Sequence, residues 1–301
     1  MKTKVLYAIY YALFGFFALM PFWLLFIISD CFYVLIYKCL HYRVKMVRKN
    51  LRNSFPEKTD EELRVIEKKF YHHFCDLIVE TVKLLNISDA QAEERIIVVN
   101  PEIVVDVEKQ NRPVILYLGH YANWEYVTKI VRHFLPDKPG GHVYKPQHDA
   151  AMDKFLYKLR SRFGSIGVEQ SQTFRRLLAW RRDHGTFVMG FIADHRPSSN
   201  FLHNWTTFLN QDTAYVAGGE EIGKRVDAVY MYVEVEKPSR GHYRLTFKPI
   251  EPDADLAGEK YPYTLQYLRM FEQTICREPQ YWLWSHNRWR FTREHQNNLG
   301  K

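Results

Sequence analysis

Residues 113–125 read PVILYLGHYANWE, and this stretch decides the fold class. Pro113 to Leu118 is a short continuous apolar run, which is typical of a buried strand. Gly119 permits a sharp turn, and residues 124–134 carry apolar side chains at helical spacing. The stretch therefore predicts a strand that turns directly into a helix. Such units build α/β proteins, whose functional groups lie at the carboxyl ends of the strands.

The predicted strand-to-helix junction carries His120 and Glu125, a possible base and a carboxylate. An imidazole has an unperturbed pKa near neutrality, so His120 can accept a proton from a reacting hydroxyl. Positions five apart on one helix are offset by about 140°. The two side chains meet only if His120 precedes the helix and Glu125 reaches back from its first turn. We predict that arrangement, with Glu125 orienting the imidazole and stabilising its charged form.

Strands and helices are predicted to alternate along the rest of the chain. Residues 59–62 form a capping box that starts a long helix. The later predicted elements are strands at 113–118, 142–144 and 186–193, helices at 124–134, 150–163, 173–183, 214–225 and 264–276, and a hairpin of strands 228–235 and 242–248. This alternation predicts one α/β domain with a largely parallel sheet flanked by helices. The tail after Glu294 is predicted to be disordered.

The N-terminal segment is predicted to be a membrane helix. Val5 to Ser29 contains no charged residue and no histidine, and as a helix it would span about 37 Å, against a hydrocarbon core of about 30 Å. Pro21 is expected to kink it. A cleaved signal peptide is the alternative, but the stretch is too long and lacks a small-x-small cleavage site. We predict a single anchor, residues 1–40, followed by a catalytic domain, residues 41–301.

A basic cluster follows the predicted anchor. Cys31 to Tyr37 is too short to cross a membrane and is predicted to continue the helix into the interface or to lie along it. The basic residues that come next, with no acidic residue before Glu57, are Lys38, Arg43, Lys45, Arg48, Lys49 and Arg52. Such a cluster favours an anionic membrane surface and, by the positive-inside tendency, a catalytic domain in the cytoplasm. A merely solvated basic helix face is the alternative.

The formal net charge is +8 and the sequence pI is about 9.1, which favours acidic partners. No zinc finger, RNP signature or helix-turn-helix pattern occurs, so we predict no nucleic-acid partner. Four cysteines without a C-x-x-C pair suit a reducing compartment. His72 and His73 are adjacent and therefore point to different helix faces, so we predict no metal site.

The stretch HYANWE at residues 120–125 resembles the H-x4-D/E motif of the glycerolipid (lysophospholipid) acyltransferase superfamily. Within it, the chain is most similar to the late acyltransferases of lipid A biosynthesis. The further blocks that carry this resemblance, in the order of that branch, are Tyr144 to Pro146, Arg160 to Gly164, Ile192 to Pro197 and Tyr281 to Trp289. The resemblance spans the whole chain. It implies a glycerolipid-acyltransferase-like α/β fold and a location in the cell inner membrane.

The resemblance also implies a reaction. A fatty acyl chain would pass from an acyl carrier protein thioester to a hydroxyl of a lipid A precursor, with no cofactor. His120 and Glu125 would be catalytic. The predicted substrate-binding residues are Asn123, Lys145, Arg160, Arg162, Asp194 and Arg196. His195 stands where this family more usually has Gln, and His286 is expected to be structural.

Two of these blocks allow predictions from geometry. Arg160 and Arg162 diverge by about 200° on a helix, so only one can easily face the site unless the helix ends between them, as Phe163-Gly164 indicates. A guanidinium fork suits phosphate, which a carrier's phosphopantetheine and lipid A sugars both present. Asp194 follows the predicted strand at 186–193, so it should emerge at a sheet edge, where it could hold an arginine or the acceptor sugar.

Several alternatives stay open. The same chemistry could serve another lysolipid, an aminoacyl lipid or a glycolipid, because acceptor choice depends on pocket shape. Coenzyme A could replace acyl carrier protein as the donor's carrier, and a thioesterase would use water as the acceptor. A non-catalytic lipid-binding membrane protein could keep the fold, although intact His120, Glu125, Arg160 and Asp194 argue against it.

Overall fold

A computed structural model of the chain describes residues 2–199 and 202–293. Its strands are β1 Ile96–Val98, β2 Val114–Leu118, β3 Gly140–Tyr144, β4 Ile166–Glu169, β5 Val188–Ile192, β6 Trp205–Phe208, β7 Gln211–Ala214, β8 Val229–Ser239 and β9 His242–Pro249. Seven of them form one sheet in the order β1-β9-β8-β2-β5-β3-β4, and β6 and β7 form a separate hairpin. Within the described residues, every pairing in the large sheet is parallel except β8-β9. The predicted α/β fold with a largely parallel sheet is confirmed.

Helices flank this sheet. They are α1 Lys2–Leu19, α2 Phe22–Tyr33, α3 Val44–Ser54, α4 Asp60–Lys83, α5 Asp89–Arg95, α6 Glu102–Lys109, α7 Ala150–Arg160, α8 Thr173–His184, α9 Gly218–Val226 and α10 Pro262–Arg277. The predicted capping box is confirmed at the start of α4, where the side chains of Thr59 and Glu62 each accept the other's backbone N–H. The tail after Glu294 lies outside the described residues.

Strand β2 lies near the middle of the sheet and is buried along its whole length. It pairs in parallel with β5 on one side and with β8 on the other. Parallel neighbours place their carboxyl ends side by side at one edge of a sheet. Residues that follow β2 and β5 in the chain are therefore brought together, although about 70 positions separate them.

The segment predicted as one membrane helix, Val5 to Ser29, is broken. Pro21 has an extended backbone and ends α1 before α2 begins, because proline lacks the N–H that would continue the helix. A π-helix, Val34–Cys39, continues α2. By length and composition, Phe22–Cys39 is the described helix that could cross a membrane. This corrects the predicted span, Val5 to Ser29, whereas Cys31 to Tyr37 continues the helix as predicted.

Helix α1 packs against the rest of the protein. Phe14 packs against Phe155 of α7, with ring centroids 5.0 Å apart and ring planes 37° from parallel. Lys83, at the end of α4, donates hydrogen bonds to the carbonyl oxygens of Ala18 and Met20, at 2.9 and 2.8 Å. An ammonium group at the carboxyl end of a helix satisfies carbonyls that have no partner within the helix. The end of α1 is therefore fixed to the domain.

Helix α2 and the π-helix pack along α4. Asp30 forms an ion pair with Arg240 in the β8-β9 turn at 2.6 Å, and the same guanidinium binds Asp76 of α4 at 2.7 Å. Tyr37 donates to Glu67 of α4 at 2.7 Å. These contacts cross the boundary that we predicted at residue 40. Large apolar side chains left exposed are concentrated between residues 5 and 42, which suits a membrane-associated surface.

The basic cluster is partly used inside the protein. Arg48 binds Glu67 at 2.8 Å and Arg52 binds Asp60 at 2.7 Å. Arg43 donates to a backbone carbonyl in the C-terminal segment. Lys45 has an exposed side chain on α3 and remains available to an anionic surface, as does Lys49.

Local details also differ from the prediction. The helix expected at 124–134 is a 3₁₀ helix, Tyr126–His133, whose bonds join residues three apart. Gly119 does not adopt a left-handed backbone. Its hydrogen side chain is needed because a Cβ would lie 2.1 Å from the Phe271 ring. The left-handed position in this turn is Ala122, with φ 51°. The hairpin of β6 and β7 was not predicted.

Candidate active site

His120 lies in the turn directly after β2, and its partner is Asp194. The imidazole Nδ1 is 2.7 Å from Oδ1 of Asp194, and the backbone N–H of His120 donates to Oδ2 at 3.0 Å. A carboxylate only accepts, so Nδ1 carries the proton and Nε2 keeps its lone pair. The ring is partly exposed, whereas the side chain of Asp194 is fully buried. This arrangement presents Nε2 as a base.

Asp194 reaches His120 because it follows β5, which pairs with β2. Trp282 donates from its indole to Oδ2 of Asp194 at 2.8 Å. The segment around Trp282 pairs with the turn that carries His120, since Leu283 N–H donates to the carbonyl of His120 and Ala122 N–H donates to that of Tyr281. The block from Tyr281 to Trp289 thus has a structural role. It holds both the turn after β2 and the carboxylate of Asp194 in place.

The electrostatics of Asp194 favour its charged form. Burial alone would raise the pKa of this carboxyl, but the charge and hydrogen bond of His120, with the Trp282 hydrogen bond, hold the pKa well below its usual range. Asp194 is therefore ionised at neutral pH. It can fix the tautomer of His120 and stabilise the imidazolium formed when Nε2 takes a proton.

Three imidazoles stack at the site. The rings of His120 and His195 are 3.6 Å apart and 8° from parallel, and those of His195 and His286 are 3.8 Å apart. Burial, followed by the charge of His120, lowers the pKa of His195 to about 2. Burial also lowers the pKa of His286 to about 4. His195 and His286 are thus both neutral at pH 7, and His286 contacts His120 only through the ring of His195 between them.

Glu125 does not contact the imidazole. It forms two hydrogen bonds with Arg160, from Nε to Oε2 at 2.8 Å and from Nη2 to Oε1 at 2.7 Å. Burial would raise the pKa of Glu125, but Arg160 outweighs that effect and the pKa is lowered. This corrects the prediction that Glu125 orients His120. Asp194, which we expected to hold an arginine or a sugar, takes the orienting position, and Glu125 holds the arginine.

Asn123 is buried and hydrogen-bonded within the protein. Its amide is fully buried, donates to Glu80 at 2.9 Å and accepts the backbone N–H of Tyr126 at 3.2 Å. A substrate could reach it only by displacing these partners, so we correct its assignment to substrate binding. His73 was missed as a support of the same turn. Its Nε2 lies 3.1 Å from the carbonyl oxygen of Ala122.

The other predicted substrate-binding residues have separate positions. Helix α7 ends at Arg160, as Phe163-Gly164 indicated, and Arg162 turns away to the carbonyl oxygen of Ile87 at 3.1 Å. Lys145 is exposed directly after β3. Arg196 lies over the ring of Phe291, with 5.3 Å from its guanidinium carbon to the ring centroid. Substrate contacts of Lys145, Arg160, Arg162 and Arg196 stay predictions.

Ligand atoms of His120, Asp194 and His195 lie within 4.8 Å of one another, close enough to consider a metal ion. Two features disfavour one. Nearly parallel stacked rings direct their nitrogen lone pairs side by side, whereas a tetrahedral ion needs lone pairs that converge. Asp194 is also already committed to Nδ1 of His120 and to Trp282. The absence of a metal stays a prediction.

A histidine paired with a buried carboxylate at the carboxyl edge of a parallel sheet is an arrangement suited to proton transfer in an α/β enzyme. The family of bacterial lipid A biosynthesis acyltransferases matches residues 1–291. The chain belongs to this family, and it is an acyltransferase. It is 22% identical over 250 residues to the lipid A biosynthesis lauroyltransferase of Escherichia coli (strain K12), covering 82% of this chain and 79% of the relative.

Proposed function

We propose that this protein transfers a fatty acyl chain from an acyl carrier protein thioester to a hydroxyl of a lipid A precursor, with His120 as general base. The observation that carries the proposal is the pair of His120 with the buried Asp194, which leaves Nε2 free of hydrogen-bond partners among the described residues. Family membership supplies the acyl chemistry and the lipid acceptor.

The reaction proceeds by direct attack. Nε2 of His120 takes the proton of the acceptor hydroxyl while its oxygen forms a bond to the thioester carbonyl carbon. Asp194 stabilises the resulting imidazolium. The tetrahedral intermediate then collapses, the carbon–sulfur bond breaks, and the thiolate leaves with the proton returned by His120. The products are an ester and a free thiol, so no external reductant, oxidant or cofactor is required.

Arg160 and Glu125 would act as one unit beside this centre. A guanidinium has five N–H donors, and Glu125 uses two of them. The remaining donors can face the thioester oxygen or a phosphate of either substrate. Glu125 holds the fork rigid, because its two bonds fix the plane of the guanidinium.

The proposed donor carrier is acyl carrier protein, and this rests on charge. The chain has a net charge of +8, and Lys145, Lys154 and Lys158 are exposed near the start and along the length of α7. An acidic carrier would be attracted to such a surface, and the attraction would weaken as salt rises. Coenzyme A is the competing carrier, and a comparison of the two thioesters at several salt concentrations separates them.

We place the protein at the cell inner membrane with the catalytic domain on the cytoplasmic side. The apolar helix Phe22–Cys39 and the exposed Lys45 and Lys49, which follow it in the chain, support this orientation. Protease digestion of right-side-out and inverted vesicles tests it. Cleavage of the catalytic domain in right-side-out vesicles would contradict the cytoplasmic assignment.

Mass spectrometry of membrane lipids from cells with and without the protein tests the function. The mass gained names the acyl chain, and the lipid that gains it names the acceptor. His120→Ala should lose activity by about 10²–10⁴ while its thermal unfolding and membrane association stay unchanged. Release of free fatty acid at the same rate without acceptor would indicate a thioesterase instead. A product on a phospholipid or aminoacyl lipid would replace the proposed acceptor.

A further inference from the structure

An apolar cavity of about 260 Å³ lies between α1, α4 and α7. Phe14 of α1 forms one wall and Leu77, Ile78 and Val82 of α4 form another. Met152, Phe155, Leu156 and Leu159 of α7 complete it. Phe14 is held in this wall by its ring contact with Phe155. The N-terminal helix is therefore a structural part of the cavity.

One end of the cavity adjoins the catalytic residues. Trp124 and Glu125 both line it. The ring of Trp124 packs edge-on against His120, with centroids 5.0 Å apart. Glu125 is the ionisable group of the lining, and its charge is balanced by Arg160. The cavity thus reaches the side chain that packs against His120 and presents no unbalanced charge.

The orientation of α7 gives the cavity a near end and a far end. Leu159 precedes Arg160, which binds Glu125, so this end of α7 lies next to the catalytic side chains. Met152 lies seven residues earlier on the helix, about 10 Å away along its axis. Phe14 contacts α7 at Phe155, in the far half. An extended apolar group that enters beside Trp124 would therefore run towards Phe14 and Met152.

We infer that this cavity binds the acyl chain of the donor thioester and that Phe14 and Met152 limit the length of chain it accepts. The inference rests on the proposed function. A lipid acceptor can keep its own chains in the bilayer, whereas a chain delivered by a water-soluble carrier needs an apolar site while its thioester reacts. The occupant is therefore the donor chain.

The test is the chain-length profile of kcat/KM for a series of saturated acyl donors with one acceptor, using purified full-length protein. Each buried methylene contributes about 0.8 kcal/mol, or about a fourfold rise, until the cavity is full. Phe14→Ala should move the optimum to longer chains by two or more carbons. Met152→Trp should move it to shorter ones.

Phe16→Ala is the matched control. It removes the same ring from the same helix, but Phe16 is 60% exposed and does not line the cavity. Its profile should keep the wild-type optimum, even if membrane association weakens. A donor carrying a photoreactive group at the end of its chain gives a readout independent of turnover, because cross-links should form in the peptides that contain Phe14 or Met152.

The outcomes separate the inference from the proposed function. If wild-type protein transfers chains but Phe14→Ala and Phe16→Ala give the same profile, and cross-links fall elsewhere, the cavity is not the donor site. If Phe14→Ala instead alters selectivity among acceptors of different chain length at a fixed donor, the cavity holds the acceptor, and our inference is overturned. If wild-type protein transfers no acyl chain from any thioester, the proposed function itself fails.

Discussion

Asp194 and Glu125 are both buried carboxylates near His120, and both have a pKa below the ordinary value. Their partners differ. Asp194 binds the imidazole and an indole N–H, whereas Glu125 binds a guanidinium in a two-bonded fork. The carboxylate five positions from the histidine in sequence is thus the one that does not touch it. The difference shows that strand adjacency, which joins β2 to β5, decides which carboxylate contacts His120.

The largest expected difference lies between Asp194→Asn and Glu125→Gln. An amide cannot stabilise the imidazolium and can hold the wrong tautomer, so Asp194→Asn should lower kcat by about 10²–10⁴. Glu125→Gln keeps one acceptor for Arg160 and should lose about tenfold. Purified variants are compared in single-turnover acyl transfer. An equal or larger loss in Glu125→Gln would return the orienting role to Glu125.

The second prediction probes the arginine side of the comparison. Arg160→Lys keeps the charge but loses the fork to Glu125, and at least 1.5 kcal/mol of charge-assisted hydrogen bonding, or about tenfold in kcat/KM, should be lost. Arg162→Lys is the matched control, because Arg162 contacts a backbone carbonyl away from the site. It should stay within about twofold of wild type, as surface contacts contribute little. The reverse ranking would place Arg162 in the active site.

The third prediction concerns the histidine stack. Aromatic pairs contribute about 0.5–1.5 kcal/mol, so His195→Ala should lower kcat by about two- to tenfold as His120 loses a restraint. His195→Phe keeps a flat ring and should retain more activity than His195→Gln, which does not. The pH profile of kcat is recorded for each variant. If His195→Phe is the most damaged, His195 acts through its nitrogens and not by stacking.

The smallest effect is on stability at acid pH. Because the folded-state pKa of Asp194 is lowered, its contribution is present above the unfolded value of about 3.9 and is lost as pH falls below it. The same sign holds for Glu125. Each carboxylate contributes a slope of at most about 1.4 kcal/mol per pH unit. Between pH 6 and 3, Asp194→Asn should flatten the fall of the unfolding temperature more than Glu125→Gln does. Unchanged slopes would mean that neither pairing exists in solution.

Much of the fold was predictable, because the spacing of apolar residues and the residues that begin or end helices and strands are local signals. The buried run before Gly119 gave β2, and the capping box at Thr59 gave the start of α4. The 3₁₀ helix after Glu125 and the break at Pro21 depend on backbone details that apolar spacing does not report. The short strand β1 is only three residues long, too short for any period to show.

The candidate site was predictable in its members but not in its pairings. His120, Glu125, Arg160 and Asp194 were all identified, yet which acid meets which base depends on strand order, and no local pattern encodes that order. His195 and His286 come together only because the C-terminal segment folds back on the turn after β2. His73 supports that turn from α4, and only its proximity in space reveals this role.

The ion pair between Asp30 and Arg240 joins the apolar helix directly to the β8-β9 turn, so no flexible linker separates the helix from the domain. A flexible linker would let a domain move relative to the membrane, and the length of the linker would set the effective concentration of the domain near its lipid substrate. Here α2 runs through the π-helix towards α3 and is bonded to the β8-β9 turn along the way. With this helix in the membrane, as proposed, the edge that carries His120 would be held at one height relative to the bilayer. The distance from an acceptor's embedded chains to its hydroxyl would then become a feature that the enzyme selects.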